Sequence, residues 1–223
     1  MEQELDLFEY EPIKKVVAEL KQTGEDFEFY PTTDAMLRKV KQWSTKNNTI
    51  LDIGCGQARL KSYFEDSTYF AIEKSQVLIS KLPADVFVLG TDFNNCTLID
   101  KQVDMIFCNP PYSEFEDWTL RIIKEGNFRE AFLIIPQRWK DNKEINQAIE
   151  QMKISFDVID STDFLDADRQ ARAKVDIIKL WKSEYTDETV DPFKNWFEDT
   201  FGFKETKDHG FEFKEDKSEK IKN

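Results

Sequence analysis

Apolar residues in this sequence occur in short runs that alternate with amphipathic stretches. The runs predict seven strands, at 49–53, 69–72, 86–89, 103–107, 131–135, 156–159 and 175–181. The amphipathic stretches predict five helices, at 32–43, 58–64, 75–81, 114–125 and 141–152. Strands separated by helices are typical of parallel βαβ units, so we predict an α/β fold with a doubly wound, mostly parallel seven-stranded sheet. No long helical pattern joins the last two strands, which predicts an antiparallel edge strand.

The chain is long enough to bury one substantial core, with 223 residues of which 40% are hydrophobic. We expect a domain at 27–182, an N-terminal extension at 1–26 and a charged, partly disordered C-terminal extension at 183–223. The first residues lack the pattern of a signal peptide, and no run reaches the roughly 20 apolar residues of a membrane span. Three widely spaced cysteines fit neither a disulfide framework nor a zinc site. We therefore expect a cytoplasmic protein with no metal and no membrane partner.

Composition also excludes some classes of chemistry. The single histidine, His209, lies in a polar segment, so Ser-His-Asp and Cys-His catalysis would lack their base. The formal net charge of -13 argues against broad nonspecific binding of nucleic acid, which depends on clustered Lys and Arg. A local basic face is still compatible with this total charge.

The first predicted strand runs into a turn with two glycines, in the segment 52–56 (Asp-Ile-Gly-Cys-Gly). Glycines let the backbone approach a ligand closely at the carboxyl end of a central strand. Neither G-x-x-x-x-G-K-[ST] nor G-x-G-x-x-G fits this segment, which favours a nucleotide-like cofactor without a pyrophosphate. Glu73 ends the second strand, where an acid can accept hydrogen bonds from ribose hydroxyls. Asp92 and Phe93 follow the third strand, where a carboxylate and a ring suit adenine.

These segments, in this order, resemble the cofactor half of class I S-adenosylmethionine methyltransferases. The resemblance implies a Rossmann-like methyltransferase fold, with S-adenosyl-L-methionine as the cofactor. It also implies that the turn at 52–56 holds the methionine part, that Glu73 binds the ribose, and that Asp92 and Phe93 bind the adenine. The segment 27–32 resembles the aromatic-proline segment that precedes the fold in DNA amino-methyltransferases and closes over the methionine end. The cofactor-binding residues expected from this resemblance are Tyr30, Pro31, Thr32, Asp52, Gly54, Gly56, Glu73, Asp92, Phe93 and Asn109.

A stiff loop, Asn109-Pro110-Pro111-Tyr112, follows the fourth predicted strand. The two prolines end the strand sharply. The side chain of Asn109 and the backbone of Pro110 each offer a carbonyl acceptor, and Tyr112 can stack on a flat substrate. A conjugated exocyclic amine is a poor nucleophile because its lone pair is delocalised. Two acceptors on its hydrogens favour a tetrahedral nitrogen whose lone pair can attack a methyl group, so positioning and fixed dipoles would supply the catalysis.

This tetrapeptide matches the Asn-Pro-Pro-Tyr motif of amino-methyltransferases that act on adenine in DNA or RNA and on glutamine in proteins. Asparagine in the first place favours adenine, and the segments 115–118, 134–139 and 163–174 resemble phage- or plasmid-borne DNA adenine methyltransferases. The resemblance implies a DNA adenine-N6 methyltransferase of a bacterial or phage-infected cell, with Tyr112 packed on a flipped base. The alternatives are the same chemistry on RNA adenine or protein glutamine, and a non-catalytic methyltransferase-like subunit.

Basic residues near the predicted catalytic edge are candidates for contacts with DNA. Some follow the fifth predicted strand, and others occupy the predicted loop between the last two strands. We predict that they form a phosphate-contacting rim, although ordinary solvated charge would also explain them. A homodimer would widen the contact surface for DNA. The substrate-binding residues that we predict are Tyr112, Arg138, Lys140, Arg169, Arg172 and Lys174.

Overall fold

The computed structural model describes residues 10–164, 169, 171–182, 203–205 and 211–213. The chain divides into two units, with the boundary between Ser183 and Glu184. The strands of the first unit are β1 (Thr49–Ile53), β2 (Thr68–Ile72), β3 (Val86–Gly90), β4 (Val103–Cys108), β5 (Phe128–Pro136), β6 (Ile154–Phe164) and β7 (Ala171–Lys182). Its helices are α1 (Ile13–Thr23), α2 (Asp34–Trp43), α3 (Gln76–Ile79), α4 (Phe115–Glu125) and α5 (Lys143–Gln151). In the second unit, β8 (Phe203–Glu205) and β9 (Phe211–Phe213) pair antiparallel.

The first unit contains a seven-stranded sheet with the order β3-β2-β1-β4-β5-β7-β6. Strands β1 to β5 pair in parallel, whereas β7 pairs antiparallel with both β5 and β6. The predicted α/β fold, a doubly wound and mostly parallel seven-stranded sheet, is confirmed, and so is the antiparallel pairing at one edge. The strand that reverses direction is β7, which lies next to the edge strand β6. Because β1 to β5 are parallel, the loops that follow them meet at the same edge of the sheet.

The sheet is covered on both faces, and the alternation of side chains along the strands builds two cores. In β1, Leu51 and Ile53 belong to one hydrophobic cluster, together with side chains of α4 and α5. Ile50 points into the other cluster, with Met36 and Leu37 of α2. Strands buried on both faces explain why β1 and β4 consist of nearly continuous apolar runs.

Some predicted helices are shorter in the structure, for local reasons. The stretch predicted as a helix at 58–64 is a 3-10 turn, Arg59–Tyr63, because Ala58 has a left-handed backbone (φ 55) that delays helical geometry. Helix α3 is a single turn, and Pro83 disfavours a longer helix. Helix α1 was not predicted from the sequence. It buries only Val16 and Leu20, so its apolar face is narrow.

The structure corrects the predicted position of two basic residues. Arg172 and Lys174 lie within β7 and not in a loop, since the ladder between β6 and β7 continues to Asp163–Lys174 and Phe164–Ala171. The alternation Ala-Arg-Ala-Lys at 171–174 has the period of two that is typical of a strand. The predicted partial disorder of 183–223 falls mostly outside the described residues, and the domain bounds at 27 and 182 stay predictions. In the described part of the chain, no helix is long and apolar enough to cross a membrane.

Candidate functional site

Segments that follow β1, β2, β3 and β4 line one cavity, and the segment before α2 closes its other side. This position is the carboxyl edge of the parallel strands, where open α/β sheets bind ligands. The fold therefore brings together residues that are far apart in the sequence. The predicted site residues that line this cavity are Tyr30, Pro31, Thr32, Asp52, Gly54, Gly56, Glu73, Asp92, Phe93, Asn109 and Pro111.

The floor of the cavity is the glycine turn after β1. Gly54 and Gly56 have positive φ angles of 71° and 57°, which other L-residues adopt only with strain. The N–H of Gly54 donates to the carbonyl of Ile72 (2.8 Å), which fixes the turn against the end of β2. A Cβ atom on Gly56 would lie 2.7 Å from the Phe29 ring, so this position has no room for a side chain. The turn and the Phe29 ring thus pack directly against each other.

Asp52 is a buried carboxylate at the end of β1. One of its oxygens, Oδ2, accepts a hydrogen bond from the Tyr69 hydroxyl, and Oδ1 is buried with no partner among the described residues. Burial raises the pKa of Asp52 to about 7, opposed by the hydrogen bond from Tyr69 and assisted by the charge of Glu73. A cationic ligand near Oδ1 would favour the ionised form.

Glu73 lies directly after β2, at the predicted end of that strand, and is also buried. Its two oxygens accept hydrogen bonds from the backbone N–H groups of Gly56 and Ser75, both at 2.8 Å. Burial raises the pKa of Glu73, although these N–H groups oppose the effect. The carboxylate thus ties the glycine turn to the segment after β2 while it lines the cavity.

Asp92 and Phe93 lie after β3, where the sequence placed them. The carboxylate of Asp92 accepts from the Asn94 N–H (3.0 Å) and the Asn95 side chain (3.0 Å), which starts a short 3-10 turn. The Phe93 ring is buried and lies 4.5 Å from the Trp118 ring, measured between centroids. Phe93 therefore combines a packing role with a place on the cavity wall.

Asn109 begins the loop after β4, and its amide has a defined orientation. The amide nitrogen donates to the carbonyl of Tyr30 (2.9 Å) and to the hydroxyl of Thr32 (3.3 Å). A backbone carbonyl can only accept, so the contact with Tyr30 identifies which end of the amide is the NH₂ group. The oxygen, Oδ1, is buried and has no partner in the part of the chain that the structure describes. The aromatic-proline segment thus leaves the Asn109 carbonyl available as an acceptor at the cavity.

The rest of this loop lies beside the cavity. Pro110 is buried and Pro111 lines the cavity. The Tyr112 ring is parallel to the Tyr30 ring, with an interplanar angle of 3° and centroids 6.1 Å apart. Burial raises the pKa of Tyr112, so its hydroxyl stays protonated at neutral pH. The two tyrosines connect the loop at 109–112 to the segment before α2.

The predicted basic rim is not one continuous group of free cations. Arg138 donates to the carbonyl of Tyr112 (2.9 Å), and Lys140 pairs with the buried Asp176 (2.8 Å). Arg169 pairs with Asp26 on the segment before α2. Lys174 is exposed on β7. Of Arg172 only the backbone is described, and contacts between these residues and DNA stay predictions.

Other residues of the cavity were missed in the sequence. Gln57 is buried, its Nε2 donates to the carbonyl of Glu11 (3.3 Å), and its Oε1 has no partner among the residues described. Its position directly after the second glycine was the available signal. Trp118 also lines the cavity, but an isolated aromatic residue in a sequence does not show whether it faces a core or a ligand. Phe29 lines it too; it belongs to the segment 27–32 that was expected to close over the site, although it was not among the predicted site residues.

Comparisons with known proteins point to one fold. No protein-family model matches the sequence, and neither does any curated protein. A dimethyladenosine transferase from Plasmodium falciparum is 14% identical, with a TM-score of 0.56 over 70% of this chain and 64% of that chain. The 23S rRNA methyltransferase ErmE is 10% identical, with a TM-score of 0.59 over 70% of each chain.

A Listeria monocytogenes protein that is assigned to the class I S-adenosylmethionine-dependent methyltransferases is 16% identical, with a TM-score of 0.56 over 78% of this chain and 67% of that chain. This chain thus spans less than two thirds of the dimethyladenosine transferase and about two thirds of the Listeria protein. At these identities the likeness shows the fold alone. The predicted Rossmann-like methyltransferase fold is confirmed.

Proposed function

We propose that this chain is an S-adenosylmethionine-dependent methyltransferase that modifies the exocyclic amino group of adenine in DNA. The observation that carries the proposal is the orientation of Asn109. Its nitrogen is held by Tyr30 and Thr32, and its buried oxygen has no partner among the described groups. An oxygen held in this way can accept a hydrogen bond from an amine in the cavity.

The cavity suits the proposed cofactor because its lining residues include hydrogen-bond acceptors that a ligand could use. Asp52 Oδ1, Gln57 Oε1 and Asn109 Oδ1 are all buried and without partners among the residues that the structure describes. All three residues line the same cavity. Buried acceptors normally have partners, so a ligand with N–H or O–H groups and positive charge would complete this site. We propose that Asp52 and Gln57 face the methionine end, Glu73 the ribose, and Asp92 and Phe93 the adenine.

The residues of the chain supply orientation and electrostatics for the transfer. Bound S-adenosylmethionine supplies an electrophilic methyl group on a positively charged sulfur. Asn109 Oδ1 would accept a hydrogen bond from the target amine and favour a tetrahedral nitrogen. Pro110 and Pro111 stiffen the loop, so this acceptor is held in place before the substrate binds. The chemistry needs neither a metal nor a covalent intermediate with the protein.

Adenine in DNA is the favoured substrate because the chain carries the Asn-Pro-Pro-Tyr sequence, with asparagine in the first place. In this proposal Tyr112, the last residue of that sequence, would pack on a flipped base beside Asn109. The second candidate is adenine in RNA, because two proteins with this fold are a dimethyladenosine transferase and an rRNA methyltransferase. A net charge of -13 opposes binding to the phosphates of both DNA and RNA, so the substrate needs a direct test.

The decisive experiment offers the purified protein radiolabelled S-adenosylmethionine together with duplex DNA, RNA or a protein extract. Digestion to nucleosides, followed by mass spectrometry, identifies the methylated base. Label in N6-methyladenine of DNA supports the proposal. Label confined to RNA or to protein glutamine would replace the DNA assignment, and calorimetric binding of the cofactor without any transfer would support the non-catalytic alternative. Sedimentation with and without DNA tests the proposed homodimer.

The role of Asn109 can be tested separately. The variant Asn109→Ala should lower turnover by about 10²–10³-fold, because one acceptor aimed at the reacting group is lost. The affinity for the cofactor should change much less, as measured by calorimetry. The exposed Asn127 provides a matched control, and Asn127→Ala should keep full activity. Full turnover in Asn109→Ala would remove the observation on which the proposal depends.

A further inference from the structure

The segment before α2 contains a turn at 26–29 with strained backbone geometry. Phe27 and Glu28 both have positive φ angles, 38° and 57°, and neither is glycine or asparagine. The N–H of Phe29 donates to the carbonyl of Asp26 (2.7 Å), which closes a tight turn. Two consecutive positive φ values are typical of a type I′ turn, which normally has Asn-Gly at these places. Such strain persists only where the surroundings hold the turn in place.

Arg169 holds both ends of this turn, although it lies 143 residues away in the sequence. Its guanidinium forms two hydrogen bonds with the carboxylate of Asp26, one of them from Nη2 at 2.9 Å. Nη1 also donates to the carbonyl of Phe29 (2.6 Å). The guanidinium carbon lies 4.3 Å from the centre of the Tyr30 ring. The planar fork of arginine suits this double contact, which a lysine cannot reproduce.

The turn contacts the catalytic loop on two sides. The residues directly after it, Tyr30 and Thr32, accept the hydrogen bonds of the Asn109 amide. On the turn itself, the Glu28 carboxylate accepts from the N–H of Ser113, the residue after Tyr112 (3.3 Å). A shift of the turn would therefore move the groups that orient the Asn109 oxygen.

We propose that Arg169 is a positioning residue: it keeps the turn at 26–29 closed and, through the chain that follows, orients Asn109. This role rests on the proposed methyl transfer and differs from the phosphate contact predicted for Arg169 from the sequence. The hydrogen bonds from Arg169 hold the pKa of Asp26 below its usual value, so the pair is ionised at neutral pH. Arg169 touches no reacting atom in this role and acts through the backbone of its neighbours.

The first test compares Arg169→Ala, Asp26→Asn and the double variant. Each single change should lower kcat by about 10²-fold, as expected when a reacting group is misplaced, and the double variant should be no worse than either. The KM for DNA and its salt dependence should change little. If Arg169 contacts phosphate instead, Arg169→Ala should weaken DNA binding and lower the salt slope by about 1, while Asp26→Asn should leave DNA binding intact or improve it. That pattern would overturn the proposal.

The second test replaces the clamp with a turn sequence that closes by itself. Adding Phe27→Asn and Glu28→Gly to Arg169→Ala should recover much of the lost kcat, since Asn-Gly favours this turn. The same pair of changes in the wild-type background is the reference, because it removes the contact between Glu28 and Ser113. Arg169→Lys should recover less, since it restores the charge without the fork. No recovery with the Asn-Gly turn would contradict a positioning role.

A third measurement does not depend on activity. Hydrogen exchange of the Phe29 amide in the protein without ligands should be faster in Arg169→Ala than in the wild type, because its hydrogen bond to Asp26 closes the turn. Unchanged exchange would refute the clamp even if methyl transfer is detected. If the wild type methylates none of the substrates but exchange responds as expected, the clamp stands and the proposed function fails.

Discussion

The glycine turn can be probed by adding one methyl group to Gly56. An alanine at a left-handed position costs about 1–2 kcal/mol relative to glycine. At Gly56 the new Cβ would also lie 2.7 Å from the Phe29 ring, which packs against the buried cluster of Val16, Leu20 and Leu78 and cannot move away freely. Overpacking of this kind costs about 1–3 kcal/mol more. Gly56→Ala should therefore lower the free energy of unfolding by about 2–5 kcal/mol in total.

Gly24 provides the matched control for this experiment. It has a similar φ of 75°, but a Cβ there would meet no atom within 4 Å. Gly24→Ala should therefore show only the backbone cost, about 1–2 kcal/mol, in urea unfolding followed by circular dichroism. Of the two glycine variants, only Gly56→Ala should bind the cofactor more weakly in calorimetry. When Phe29→Leu is added to Gly56→Ala, the double variant should regain part of the lost stability. Equal losses of stability in the two glycine variants would refute the proposed contact with Phe29.

Two further predictions concern buried carboxylates. Because the pKa of Asp52 is raised to about 7, the free protein should lose stability as the pH rises from about 4 to 7. Cofactor affinity should rise over the same range and level off above pH 7. Asp52→Asn should show a weaker dependence on pH in calorimetry, with the remainder due to Glu73, whose pKa is also raised. A wild-type profile no steeper than that of Asp52→Asn would contradict the role of Asp52. Asp176 accepts hydrogen bonds from Trp139 and Ser161, so Asp176→Ala should cost about 3–5 kcal/mol in urea unfolding. Asp157 is exposed and provides the control: Asp157→Ala should change the free energy of unfolding by no more than about 0.5 kcal/mol. An equally small change in Asp176→Ala would show that the hydrogen bonds of Asp176 contribute little to stability.

The sheet could be predicted from the sequence because its signals are local. Apolar runs mark strands that are buried on both faces, and the candidate loop at 109–112 is visible as four adjacent residues. The glycine turn was equally visible, since only a few residue types tolerate its backbone angles. The 3-10 turn at Arg59–Tyr63 was predicted as a helix because its apolar spacing is the same, and only the left-handed Ala58 distinguishes it.

The remaining features depend on contacts between distant parts of the chain. The pairing of Arg169 with Asp26 leaves no periodic pattern, because each residue alone looks like an ordinary surface charge. The burial of the Gln57 oxygen is equally hidden, since an amide after a glycine turn can face solvent or a cavity. The signal for helix α1, by contrast, was local and was missed: Ile13, Val16, Val17 and Leu20 have the spacing of one apolar helix face.

The placement of β7 between β5 and β6 has a consequence for how the domain assembles during synthesis. Among the described strands, β6 pairs only with β7, so it cannot join the sheet when it leaves the ribosome. Until β7 follows, β5 presents an unpaired edge that can recruit other chains. Strands β6 and β7 form a hairpin of neighbouring segments, which closes faster than a distant pairing. The exposed edge of β5 is thus covered in one late step, when the hairpin docks through β7.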